Sequence, residues 1–216
     1  MIWIGGTLVS RGKGGVYGER MIDGMRIWDP YRSKLAAYYY LGGTLDLLPE
    51  MRVLYLGAAN GTTVSHVADY VEVVYAVENA PRPMRDLLAV AGRRKWIIPI
   101  MADATVPETY ASMVEGVHLI YQDVAHPGQV EIASKNSPFL EPGGKILLML
   151  KTRSIDVRRS PEIVAEDAAL QLESRGLFIE QLLWLAPYHK DHAAMLCRRE
   201  DGVSGAEGSN GYSPGK

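Results

Sequence analysis

The stretch from Arg52 to Glu78, RVLYLGAANGTTVSHVADYVEVVYAVE, sets a strand, a glycine turn, a helix and a second strand ending on an acid in direct succession. Val53 to Leu56 is an apolar run with β-branched and aromatic side chains, as in a buried parallel strand, and it stops at Gly57. Gly57 and Gly61 clear side chains from the turn. Thr62 and Thr63 offer hydroxyls and backbone amides at the start of a helix expected to run through Tyr70, where unpaired N–H groups favour an anionic ligand group. Val73 to Val77 reads as the next strand. Glu78 follows about twenty residues after the first glycine, where an acid grips ribose hydroxyls in nucleotide-binding α/β folds. The dinucleotide fingerprint requires glycines at the first, third and sixth positions, whereas Gly57-Ala58-Ala59-Asn60-Gly61-Thr62 has them at the first and fifth. The turn therefore disfavours a pyrophosphate and favours a smaller ligand joining an adenosine to a carboxylate, such as S-adenosylmethionine. A strand-glycine-helix turn with no cofactor is the alternative.

From Arg52 onward strands and helices alternate, with strands near Val53, Val73, Ile97, Val117, Ile146, Ile179 and Ala193. The expected fold is α/β: a seven-stranded, doubly wound, Rossmann-like sheet of the kind familiar from S-adenosylmethionine-dependent methyltransferases, though a fold alone does not establish a reaction. The closing pair, FIEQLLWLAPYHKDHAAMLCRR, has a turn too short for a helical crossover, so the last strand should run antiparallel to its neighbour. Residues 1–31 are glycine-rich with short alternating pieces and read as a small antiparallel β appendage. Residues 32–199 form the expected main domain. It opens on a helix carrying KLAAYYYLGGTLDLL, with Ser33 placed to cap it. Residues 200–216 are small, polar and glycine-rich, the composition of a flexible tail.

At 216 residues and 47% hydrophobic, the chain can furnish a substantial core. No apolar stretch approaches the roughly 20 residues that span a bilayer, and the amino terminus lacks the plan of a signal peptide, so cytoplasmic residence without a membrane partner is expected. The single Cys197 lies in the apolar segment AAMLC and reads as a buried, inert thiol. No metal site is expected, because His189 and His192 stand alone. The net charge of −2 gives no global sign of nucleic-acid binding, so any polyanion surface must be local. Two basic patches qualify. One gathers Arg11, Lys13, Arg20, Arg26, Arg32 and Lys34; the other is KTRSIDVRR, from Lys151 to Arg159. A solvated face is the alternative for each.

Ligands in such sheets sit outside the carboxyl ends of the strands. Asp103 ends the third strand, Asp123 the fourth and Lys151 the fifth, so all three should face one crevice. Asp103 can accept a hydrogen bond from an exocyclic amine such as adenine N6, or cap a helix. Asp123 and Lys151 each follow an apolar run, where an unpartnered charge incurs several kcal/mol of desolvation. A structural ion pair is one account of them. The other adds Lys34 and His192 to make a four-residue polar cluster.

At these residues a resemblance becomes specific. RSKLAAYYYLGG, VLYLGAANGTTVSHVADYV, VYAVE, IIPIMADA, DVAHPGQ, KTRSID and PYHKDHA resemble, in order and spacing over residues 16–199, the successive signatures of the fibrillarins, box C/D ribonucleoprotein 2′-O-methyltransferases. The resemblance implies methyl transfer from S-adenosylmethionine to a ribose 2′-hydroxyl of rRNA or tRNA chosen by a guide RNA. It places Lys34, Asp123, Lys151 and His192 around the reacting hydroxyl. Toward the cofactor it places Gly57, Ala58, Thr62 and Thr63, Glu78 with Asn79, Asp103 with Ala104, and Asp123, Val124, Ala125 and His126, with Gln129 nearby. It also implies three partners: a Nop-domain scaffold protein, a kink-turn-binding protein of ribosomal type, and a box C/D guide RNA. Asn60 stands where the family often has serine, His126 where it often has glutamine, and His189-Lys190 where a Glu-Arg pair is common. The long Gly/Arg-rich arm of eukaryotic members is absent, so the chain resembles the archaeal ones.

A ribose hydroxyl is a poor nucleophile that must be aligned while its proton leaves. A carboxylate among lysines favours their charged form, so at least one lysine is expected to orient the oxygen, with Lys151 first for that contact. His192 reads as a proton relay, a substrate contact or merely a satisfied polar residue. Two rival functions share the fold: a cofactor-binding scaffold subunit, and a protein or small-molecule methyltransferase. The intact four-residue set argues against the first, and the basic patches against the second.

Overall fold

A parallel strand buried on both faces must alternate two apolar sets, and the computed structural model, which describes residues 1–12 and 14–200, shows that alternation in the central strands of its main sheet. Its strands are β5 (Arg52–Leu56), β6 (Val73–Glu78), β7 (Ile97–Met101), β8 (Val117–Gln122), β9 (Leu140–Lys151), β10 (Leu177–Trp184) and β11 (His192–Arg199), in the order β10-β11-β9-β8-β5-β6-β7. Strands β5 to β9 pair parallel, while β11 pairs antiparallel with both β9 and β10. All seven expected strands are present, and the last is antiparallel as its short turn requires.

Val53, Tyr55, Leu147 and Met149 face one core with the helices α1 (Lys34–Tyr40), α2 (Thr62–Val67) and α3 (Pro81–Ala91). Leu54, Leu56, Ile146 and Leu148 face the other with α4 (Gln129–Asn136) and α6 (Pro161–Glu173). A one-turn helix, α5 (Thr152–Ile155), directly follows β9. Cys197 lies in the second core, where burial pushes its thiol up to about 12, the behaviour of an inert core residue.

Ser33 caps α1 as expected, its Oγ accepting from the Ala36 N–H at 3.2 Å. The helix is shorter than the pattern suggests and ends at Tyr40. Gly42 takes φ +89°, and at Gly43 a side chain would overlap the Tyr38 ring, so the chain turns away. Tyr38 and Tyr39 are buried and Tyr40 half-buried, which makes this aromatic run core. Helix α2 likewise stops at Val67, short of the expected Tyr70.

The first 31 residues supply a four-stranded antiparallel sheet, β1 (Ile2–Ile4), β2 (Thr7–Ser10), β3 (Met21–Ile22) and β4 (Met25–Ile27), in the order β1-β2-β4-β3. Leu8 and Trp28 from this region are fully buried in the same core as α1 and α2. A buried polar network adds to that apolar contact. Arg26 donates to Glu19 Oε1 at 2.8 Å, to Asp69 Oδ2 at 2.7 Å and to Ser65 Oγ at 2.8 Å. Asp69 also accepts from Ser10 Oγ at 2.6 Å and Arg94 Nε at 2.9 Å. Arg26 therefore leaves the first basic patch, and Lys13 lies outside the described residues.

Burial pushes the Glu19 carboxyl up, but its hydrogen bonds from Arg26 and from backbone N–H groups outweigh that and hold it at about 2. A carboxyl lowered by folding contributes stability above its ordinary value of 4.5 that is lost as pH falls toward 2. Arg26→Met leaves two buried carboxylates without their shared partner and is expected to destabilise the chain by about 3–5 kcal/mol, measured by urea unfolding at pH 7. A variant that unfolds at the wild-type midpoint would remove the network from the account of stability.

Candidate active site

Strands β5 and β8 lie side by side, yet the chain leaves β5 toward β6 and leaves β8 toward β9, so a crevice opens beyond their carboxyl ends. Gly57 follows β5 there with φ +81°, and a side chain at this position would overlap the Asp123 carbonyl oxygen. Asp123 follows β8 and donates its backbone N–H to Leu56 O at 2.9 Å. The two turns thus close on one another through backbone alone.

Two cavities of about 290 and 370 Å³ adjoin at Gly57, Ala59 and Asp123. Glu78, Asn79, Asp103, Ala104, Val124, Ala125 and His126 line the first. Ala58, Thr62 and Thr63 line the second, together with Arg32, Tyr55 and Asn60. Of the residues expected to hold a cofactor, Gln129 alone stays out of the cleft: it is fully buried at the start of α4, with its amide on the backbone of Lys151.

The polar groups of the first cavity are pre-oriented. Glu78 is 8% exposed, and its two oxygens accept from Ala59 N and Ala80 N, each at 2.8 Å. Each oxygen retains a lone pair, so the carboxylate can still accept from vicinal hydroxyls. Asp103 accepts from the Thr105 N–H at 2.8 Å, and this contact, with the Thr105 side chain, holds its carboxyl below the usual carboxylate range. An acceptor-only carboxylate in a cavity also lined by Val77, Val124 and Ile132 suits an exocyclic amine on a flat base. In the second cavity the Thr62 hydroxyl donates to Asn60 Oδ1 at 3.0 Å and the Thr63 hydroxyl to Ser33 Oγ at 3.0 Å. The Tyr17 hydroxyl donates to the Asn60 carbonyl, tying the amino-terminal loop to this turn.

At the junction Lys34 Nζ donates to both oxygens of Asp123, at 2.7 and 2.8 Å. Lys151 ends β9 and stands opposite His192, the first residue of β11. Among the described residues its ammonium has no hydrogen-bond or ion-pair partner. His192 Nδ1 lies 2.6 Å from the Lys190 carbonyl, which only an N–H can satisfy, so Nε2 carries the free lone pair. Burial lowers the His192 imidazole below its ordinary 6.5, opposed by the Lys190 hydrogen bond and reinforced by Lys34. One ion pair thus joins Lys34 to Asp123, one cross-strand register sets Lys151 opposite His192, and His192 feels the charges of Lys34 and Asp123.

His189 joins the same group. Its ring lies 6.1 Å from that of His192, its Nε2 donates to the Pro30 carbonyl at 2.8 Å, and burial lowers its imidazole as well. In the sequence it shows only as a departure from the family pattern. Tyr55 is likewise invisible there, since an aromatic residue inside a strand reads as core. Arg153 and Arg159, in the second basic patch, pair with Asp191 and Asp167.

A family model described as Fibrillarin matches residues 7–201. A fibrillarin-like rRNA/tRNA 2′-O-methyltransferase of Methanoculleus marisnigri is 67% identical over 201 residues, covering 93% of this chain and 100% of the relative. Among solved structures, the match in a fibrillarin/Nop5p complex has a TM-score of 0.85 at 43% identity, over 90% of this chain and 94% of the other. Aeropyrum pernix fibrillarin with natively bound S-adenosyl-L-methionine matches with a TM-score of 0.80 at 41% identity, over 89% of each chain.

Gly57→Ala forces a side chain into the left-handed region and against the Asp123 carbonyl, a combination expected to destabilise by about 2–5 kcal/mol. Thermal unfolding checks this, and a Tm unchanged from wild type would show that the two turns can part freely.

Proposed function

This chain belongs to the fibrillarin family, and from that premise we propose that it methylates a ribose 2′-hydroxyl of rRNA or tRNA from S-adenosylmethionine, with Lys34, Asp123, Lys151 and His192 at the reacting oxygen. The observation that carries the reading is the junction itself: a lysine–aspartate pair where two cavities meet, beside a strand-end lysine facing a histidine.

The first cavity fits the adenosine half of the cofactor. Glu78 would hold the ribose, Asp103 the exocyclic amine, and Val77, Val124 and Ile132 the faces of the base. The second cavity fits the amino-acid half, with Thr62 and Thr63 at its wall and the Asp123 carboxylate at the shared boundary. When bound, S-adenosylmethionine supplies an electrophilic methyl on a sulfonium sulfur.

The residues of the chain then divide the work. Lys34 is committed to Asp123 and fixes that carboxylate at the boundary. Lys151, whose ammonium is unengaged among the described residues, donates to the 2′-oxygen and orients it. As the oxygen–carbon bond forms and the sulfur–carbon bond breaks, the hydroxyl proton passes to His192 Nε2, and the Lys190 carbonyl stabilises the resulting imidazolium through Nδ1–H.

The net charge of −2 is small support for holding RNA alone. One similar structure is a fibrillarin in complex with Nop5p, and this supports a Nop-domain scaffold partner here. A kink-turn-binding protein and a box C/D guide RNA complete the proposed particle, and base pairing with the guide selects the nucleotide. Reconstitution with scaffold, kink-turn protein, guide and labelled cofactor should place the label on a 2′-oxygen at the guided position. Label on protein or on a base would overturn the reading.

Lys151→Ala is expected to lower the single-turnover rate by about 10²–10³-fold while leaving affinity for S-adenosylhomocysteine within about two-fold. A wild-type rate would refute the hydroxyl contact. His192 must be neutral to accept a proton, so the rate should fall with pH on a limb below the ordinary histidine value of 6.5, and His192→Asn should abolish that limb. A limb that persists in the variant would assign the proton elsewhere.

A further inference from the structure

Strand β9 outlasts its parallel neighbour. The β8–β9 register ends at Gln122 opposite Leu148, because the chain beyond Gln122 is diverted into the Asp123–His126 wall of the cleft. Lys151 lies three residues past that point, so no strand covers the β8 side of its backbone.

Its other side offers no ladder hydrogen bond either. Lys151 pairs with His192, and the next pair, Thr152 and Asp191, is joined by the Thr152 N–H donating to the Asp191 carbonyl at 3.2 Å. Hydrogen-bonded and non-hydrogen-bonded pairs alternate along an antiparallel ladder, so Lys151 and His192 form a non-hydrogen-bonded pair. That places their side chains close together and turns the Lys151 N–H and C=O away from β11, toward the uncovered side.

Gln129 occupies that side. Its Oε1 accepts from Lys151 N at 2.9 Å and its Nε2 donates to Lys151 O at 3.1 Å, as a neighbouring peptide would. The residue is fully buried, and its own carbonyl accepts from Gln122 Nε2 at 2.7 Å, so the last residue of β8 holds the group that replaces β8. Val130, Ile132 and Ala133 anchor the rest of α4 in the core.

We propose that Gln129 is the positioning residue for Lys151: its side-chain amide stands in for the missing strand at the end of β9 and fixes the lysine that meets the substrate hydroxyl. Gln129 acts through Lys151 and does not touch the cofactor. The inference rests on the role given to Lys151 above.

The test is a double-mutant cycle in the reconstituted particle, by single-turnover methylation below the unfolding range of every variant, with affinity for S-adenosylhomocysteine measured alongside. Gln129→Met removes both hydrogen bonds, and the misplaced lysine is expected to slow methylation on the order of 10–100-fold with cofactor affinity within about two-fold. Gln129→Glu keeps the acceptor for the Lys151 N–H and should fall between Gln129→Met and wild type. In a Lys151→Ala background Gln129→Met should slow the reaction no further. If Lys151→Ala drops to the uncatalysed rate, Lys151→Arg takes its place, and the Gln129→Met loss should again be smaller than in the wild-type background. Three results overturn the inference: Gln129→Met at the wild-type rate, a loss of cofactor affinity that matches the loss of rate, or losses that multiply in the double variant. A wild-type rate for Lys151→Ala alone would instead overturn the role of Lys151.

Discussion

Two strands that hydrogen-bond side by side and then part company set everything else in this molecule. Just beyond β5 and β8 the Asp123 N–H still donates to the Leu56 carbonyl while the Gly57 and Ala58 N–H groups turn to the Val77 carbonyl of β6, and Gly57 presses on the Asp123 carbonyl with no side chain between them. Because that contact is backbone on backbone, the space above it stays open to a ligand, and the carboxylates of Glu78 and Asp123 enter it from neighbouring strand ends. Asp123 borders both cavities while its carboxylate is held by Lys34.

The small amino-terminal sheet is joined to this arrangement on two levels. Leu8 and Trp28 bury it against α1 and α2, and Arg26 locks Glu19 to Asp69 beneath it. Glu19 in turn accepts the Val16 and Tyr17 N–H groups at 2.7 and 3.0 Å, and Tyr17 reaches the Asn60 carbonyl. A chain of polar contacts thus runs from a buried ion network to the turn that lines the second cavity. A buried carboxylate is costly without partners, and Arg26, Arg94 and Ser10 all donate to Asp69.

Much of the fold was legible because burial on both faces leaves long apolar runs and because glycines and acids punctuate them. Glu78, Asp103, Asp123 and Lys151 could be placed at strand ends from those runs alone. Lengths were less legible: α1 ends where Gly43 packs under the Tyr38 ring, and no local signal foretells that tertiary contact. Arg26 counted as a surface charge because its partners, Glu19 and Asp69, are 7 and 43 residues away. Gln129 pointed to the cofactor by its motif, yet its amide is spent on the Lys151 backbone, a pairing that exists only once β8 has left the sheet. His189 carried a signal only as a departure, and its contact with Pro30 spans 159 residues.

The four side chains proposed for the reacting hydroxyl come from the first helix, the middle of the sheet, its longest strand and its final strand. Lys34 and Asp123 alone are separated by 89 residues, and His192 arrives with the last element of the described chain. Nothing local can assemble such a set, so loops spanning residues 34–192 must close before all four act as a unit. In chain order the elements that line both cavities come first, and the closing hairpin brings His192 to the sheet after all of them.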